Sequence, residues 1–117
     1  MSVEIIREGV STARVGGEID LANVDELENA LDKLVLESPD GFVIDLTDTQ
    51  YIDSAGIQAI LRAYDHVSRG GGKIVVVAGN RSVKQIFGLI HPEDLPSLFL
   101  VDDLASAKAV FASRPEA

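Results

Sequence analysis

The chain has 117 residues, 46% of them hydrophobic and 25% charged, which is the composition of one globular domain rather than of a disordered segment. Asp plus Glu number 19 against 10 Lys plus Arg, and the formal charge of −9 repels phosphate backbones and anionic lipid, so neither nucleic acid nor a membrane surface is an expected partner. Cysteine is absent, which excludes disulfides, thiolate metal sites and cysteine nucleophiles. The start, Met1-Ser2-Val3-Glu4, has neither the basic nor the apolar region of a secretory leader, and the longest aliphatic run, Ile74-Val75-Val76-Val77-Ala78, is too short to cross a bilayer. A cytoplasmic, monomeric single domain over residues 1–117 is expected, with a core from about 3 to 112 and a frayed tail from Ser113 to Ala117.

In chain order, Val3-Glu4-Ile5-Ile6 reads as a strand, Glu8-Gly9 as a turn and Thr12-Ala13-Arg14-Val15 as the return strand. Leu21, Val24, Leu27, Leu31, Leu34 and Val35 recur at helical spacing and are punctuated by Pro39-Asp40-Gly41. Phe42-Val43-Ile44-Asp45-Leu46 is a nearly continuous apolar strand of the kind a parallel sheet buries under helices. A second helix carries Ile57, Ile60, Leu61, Tyr64 and Val67 and ends at Gly70-Gly71-Gly72, before a strand from Lys73 to Ala78. Val83, Ile86, Phe87 and Ile90 mark a third helix stopped before Pro92. Leu98-Phe99-Leu100-Val101 is the last strand, and Leu104, Ala107, Val110 and Phe111 mark the last helix. The order β-β-α-β-α-β-α-β-α predicts an α/β fold, an N-terminal hairpin followed by parallel crossovers in a mixed sheet. Phe87, Ile90 and Phe111 read as core.

The chemistry concentrates between Leu46, where a strand ends, and Ser54, where a helix begins after a short loop. In open α/β sheets the functional loops leave the carboxyl ends of the strands. A serine there meets the positive end of a helix, which accommodates an added phosphate of about −2 charge. The plainer reading is that Ser54 or Asp53 is an N-cap closing the first turn. The two roles are compatible.

Asp53-Ser54-Ala55-Gly56 resembles the Asp-Ser-x-Gly motif of the anti-sigma factor antagonist (STAS) family in its short bacterial form. Gly17-Glu18-Ile19-Asp20 is similar to that family's Gly-Glu-(Ile/Leu)-Asp segment, and Phe42-Val43-Ile44-Asp45-Leu46 to its apolar-Asp-Leu strand. Gly71-Gly72-Lys73-Ile74 and Val83-Lys84-Gln85-Ile86-Phe87 match further segments, so the resemblance runs in order over roughly residues 3 to 112. It implies a protein that works by binding, with no catalysis and no cofactor of its own. Its partner would be an anti-sigma factor that is also a serine kinase, and binding would release the sigma factor. The kinase, using its own ATP, would phosphorylate Ser54 and so end the complex, and a phosphatase would restore it. Asp20 and Asp53 would flank Ser54, while Ala55 and Gly56 would lie beneath the kinase's nucleotide site, small enough to let the serine reach the cleft. The same fold also serves as a non-switching scaffold or as an accessory subunit of signalling and transport complexes, and that alternative stands beside the switch.

Other constellations carry less. Asp45 with Asp48 and Asp53 suggests a phospho-aspartate receiver or a Mg²⁺ site, but a hairpin stands where a receiver needs its first parallel strand. Gly70-Gly71-Gly72-Lys73 fails the phosphate-loop pattern because Ile74 follows the lysine, and it reads as a helix end. His66 and His91 are expected at the surface, with no metal between them. Ile52 stands where the nucleophile elbow of a serine hydrolase needs glycine.

Overall fold

A computed structural model describes residues 1–112. The expected frayed tail, 113–117, lies outside the described residues. Strand β1 (Ser2–Ile6) turns back into β2 (Thr12–Ile19), followed by α1 (Val24–Glu37), β3 (Gly41–Asp45), β4 (Thr49–Ile52), α2 (Ser54–Arg69), β5 (Lys73–Val77) and α3 (Arg81–Gly88). A 3-10 turn (Pro92–Asp94), β6 (Leu98–Val101) and α4 (Leu104–Ala112) complete it. The sheet runs β1-β2-β3-β5-β6, antiparallel between β1 and β2 and parallel elsewhere. The mixed α/β architecture is therefore the expected one.

Three details differ from the sequence reading. The segment after Leu46 is not all loop, because Thr49–Ile52 forms β4 and pairs in parallel with the last residues of β2, displaced by an irregularity between Gly17 and Glu18. Its burial is Thr49 and Ile52 in, Gln50 and Tyr51 out, so it lacks the two-residue alternation that marks a strand. Leu21 is not on α1 but in the preceding turn, 77% exposed. Ile90, two residues past α3, and Phe111 are partly buried and packed against the core rather than within it, while Phe87 is 1% exposed.

Alternation along the strands separates two apolar layers. Phe42, Ile44 and Leu46 of β3 and its exit, with Ile74 and Val76 of β5, meet α1, α2 and α3. Val43, Val75 and Val77 point to the opposite face, where Ala107 of α4 covers them with Leu104, Val110 and Phe111 partly buried beside it. Each fully buried Leu, Ile or Phe contributes about 2 kcal/mol by area. The tight joint between α1 and β3 needs Gly41, whose φ is +120° and whose added Cβ would lie 1.8 Å from the carbonyl oxygen of Lys73.

Candidate functional site

Ile19 and Ile52 are register partners at the ends of β2 and β4. Asp20 and Asp53 are the next residues of each chain segment and leave the sheet together, with the Asp53 N–H donating to the Ile19 carbonyl at 3.1 Å. Each carboxylate then builds a turn. Asp53, extended at φ −102° and ψ −173°, is the N-cap of α2 and accepts from the N–H groups of Ala55 at 2.9 Å and Gly56 at 3.3 Å. Asp20 accepts from the N–H groups of Ala22 at 3.0 Å and Asn23 at 3.2 Å. Asn23 answers, its side chain accepting from the Asp20 N–H at 3.0 Å and donating to the Glu18 carbonyl at 2.8 Å.

Asp53, not Ser54, is thus the cap. Ser54 is the first residue of α2 and is exposed. Its hydroxyl stands at the helix's positive end, beside the Ala55 and Gly56 N–H groups that the Asp53 carboxylate caps. Ala55 is partly buried against the core, and Gly56 is buried. A Cβ on Gly56 would fall 2.6 Å from Ile52 Cγ1 and 2.7 Å from Ile19 Cγ2, so the first turn of α2 rests directly on this isoleucine pair. That adds a reason for the small residue which the sequence reading lacked: glycine is required from inside the fold.

Beside Ser54 opens an apolar groove of about 450 Å³, walled by Tyr51, Ile52 and Ile57 on one side and Ile86, Leu89 and Ile90 on the other, with Asp53 and Ser54 at its rim. Leu89 is 78% exposed and Tyr51 47%. Asn80 fixes the distance between the two walls. Its side chain caps α3 by accepting from the Val83 N–H at 2.9 Å, and donates to the Thr49 carbonyl of β4 at 2.5 Å. A second depression of about 480 Å³ lies between β1 and α1, but its rim is polar and its Arg7 is held by Glu37 at 2.8 Å.

The STAS domain family model matches residues 4–107. The chain belongs to the STAS domain family. Among curated proteins, the anti-sigma-F factor antagonist RsfB of Mycobacterium tuberculosis is 31% identical over 72 residues, covering 62% of this chain and 59% of that protein. The chain therefore matches less than two thirds of the length of its curated relatives. The crystal structure of an anti-sigma factor antagonist from Mycobacterium paratuberculosis superposes with a TM-score of 0.83 at 26% identity, over 96% of this chain and 94% of that one. The phosphorylated form of the Bacillus cell fate determinant SpoIIAA shares the fold at 13% identity, with a TM-score of 0.67 over 93% of this chain and 97% of that one.

The remaining polar candidates of this STAS chain serve other ends. Asp45 is 3% exposed and accepts from the N–H and hydroxyl of Thr47 at 3.0 and 2.5 Å, turning the chain toward β4, while Arg14 lies 4.0 Å away and also 3.9 Å from Asp48. Among the described residues the one His, Asp and Glu trio whose ligand atoms gather is His91, Glu93 and Asp94, all exposed, so Asp45, Asp48 and Asp53 do not converge. Gly70-Gly71-Gly72 closes the end of α2, with the Gly72 N–H donating to the Val67 carbonyl at 2.9 Å. His66 and His91 are both exposed. The residue that sequence reasoning missed is Leu89, which falls off the Val83 and Phe87 face of α3 yet is apolar, the one local signal it offered.

Proposed function

We propose that this chain is a cytoplasmic anti-sigma factor antagonist that binds an anti-sigma factor serine kinase while Ser54 is free, displacing the sigma factor, and releases it once Ser54 is phosphorylated. The observation that supports this most is the position of Ser54: exposed, relieved of capping duty by Asp53, and on the rim of an apolar groove with an exposed leucine. The partner buries the groove and brings its bound ATP to the serine. Transfer breaks the bond from the γ-phosphorus to the bridging oxygen of ADP, forms one to Ser54 Oγ and sends the hydroxyl proton to a base on the kinase. The product adds about −2 charge beside Asp53 and Asp20. The N-terminus of α2 tolerates that charge, so the fold persists, while a closed interface without a matching cation does not. Turning a 1:99 population into 99:1 takes about 5.5 kcal/mol of differential affinity, and desolvating a dianion is a cost of that order. A phosphatase acting on phospho-Ser54 resets the switch, and the STAS chain itself catalyses nothing.

The test is affinity capture from host lysate on wild type, Ser54→Ala and Ser54→Asp, each with ADP and with ATP, the catch identified by mass. One ATP-binding kinase held by wild type and Ser54→Ala in ADP, released from wild type by ATP and missed by Ser54→Asp is the expected pattern. Equal catches on all three baits replace the switch with a non-switching scaffold.

A further inference from the structure

We propose that the outer edge of β6 accepts an extended strand from a partner protein, an apolar segment flanked by Lys or Arg. Among the described residues, strand β6 ends the sheet and pairs with β5 alone. The Ile74 N–H donates to the Ser97 carbonyl at 2.9 Å and the Ala78 N–H to the Val101 carbonyl at 3.0 Å. By the alternation of a parallel ladder, Phe99 and Val101 turn their backbone groups toward β5 while Leu98 and Leu100 turn theirs outward. The Leu95 carbonyl takes the Leu98 N–H at 3.2 Å. This leaves the Leu98 carbonyl and both backbone groups of Leu100 without a strand partner among the described residues.

Edge strands are ordinarily blunted by charge, proline or a bulge. The other border strand, β1, carries Glu4 at its centre and leads into Arg7, clamped to Glu37. Within Leu98–Val101 there is no charge and no proline, and Phe99 is 40% exposed. A mainly apolar slot of about 290 Å³ runs along β6, bounded by Pro92 and Glu93 of the 3-10 turn. An added strand fits this edge by main-chain hydrogen bonds, with alternate side chains on Phe99 and in the slot.

Charge selects the occupant. Glu93 and Asp94 stand near one end of the slot, and Asp102 and Asp103 follow β6 at the other, all exposed. Backbone N–H groups hold two of these carboxyls below their usual values: that of Ser106 for Asp103, and Glu93's own, aided by His91, for Glu93. Lys84 offsets Asp102 alone. A second copy of this chain, itself at −9, brings the same carboxylates to the same edge, whereas a strand with cationic ends matches them.

A capped nonapeptide of alternating Val and Thr between Lys-Arg ends, titrated into nitrogen-15-labelled full chain, tests this. Amide shifts and slowed exchange centred on residues 98–101 are expected, weakening as salt rises. The same peptide with Glu ends should bind about tenfold more weakly, and one with Pro at its central position not at all. Phe99→Lys should abolish binding while its amide spectrum stays that of a folded chain, with a lower unfolding temperature because this side chain is more than half buried. No shifts at millimolar peptide, equal binding of the Glu-ended peptide, or shifts centred elsewhere overturn the proposal. So does protection of β6 that grows with protein concentration in the absence of peptide, which identifies a second copy as the occupant.

Discussion

Ile19 and Ile52 pair across β2 and β4, and both side chains lie against the α-carbon of Gly56. One contact therefore joins the two strands that deliver Asp20 and Asp53 to the helix that presents Ser54. Gly56→Ala gains about 1 kcal/mol of helix propensity but forces a Cβ into atoms 2.6 and 2.7 Å away. Overpacking of this kind costs about 1–3 kcal/mol, so a net loss is expected for Ala and a larger one for Val, read from urea midpoints. An Ala variant as stable as wild type sinks the close-packing account and returns the glycine to a role in partner access alone.

Neighbouring positions separate capping from switching. Asp53→Ala removes both bonds to the first turn and should cost about 1 kcal/mol, while Asp53→Asn keeps an acceptor and should cost little. Ser54→Ala should leave stability within about 0.5 kcal/mol. Ser54→Asp should match or slightly exceed wild type through the helix dipole, by about 0.3–1 kcal/mol, even as it loses the partner. Thermal melts of the four variants check this, and a Ser54→Ala loss as large as that of Asp53→Ala would show that the serine is a cap after all.

Acid should weaken the fold at two places distant in sequence. The Arg7 guanidinium, first by hydrogen bonding and then by charge, holds the Glu37 carboxyl below its usual value, and the Ser106 N–H does the same for Asp103. A carboxyl depressed by folding contributes stability that is complete above its unfolded value and is lost as pH falls through the lower folded one, so the loss belongs below about pH 4. Arg7→Gln should shrink the difference between unfolding temperatures at pH 7 and pH 3, modestly because the pair is exposed to solvent. An unaltered difference removes this pair from the account.

The fold was legible because its helices repeat at three and four residues and its central strands are apolar throughout. Phe42, Ile44, Val75 and Val77 announce a sheet covered on both faces whatever else the chain does. The strand β4 was not legible, since Thr49 and Ile52 are buried with two exposed residues between them and pair beside an irregularity in β2. Asp53 and Ser54 were found by local chemistry, a cap and a hydroxyl at a helix start. The groove was not, because its second wall comes from the end of α3, more than thirty residues onward, and Asn80 sets its spacing through a contact no periodicity encodes.

That second wall gives the proposed switch a test independent of Ser54. Leu89 is 78% exposed, so it adds little to folding, yet it flanks the groove that the proposed partner would bury. A large apolar side chain standing in water at a groove rim is a candidate anchor, and truncating such an anchor typically costs about 2 kcal/mol or more of binding. Leu89→Ala should keep the wild-type unfolding temperature and weaken capture of the kinase by at least about tenfold. Leu89→Asp should abolish capture by placing a charge in a desolvated contact. Because neither variant alters Ser54, both should also slow its phosphorylation by the captured kinase, measured as the rate of phosphate incorporation from labelled ATP. Normal capture and normal phosphorylation of Leu89→Asp would place the partner's footprint elsewhere on the STAS domain and leave the groove without a role.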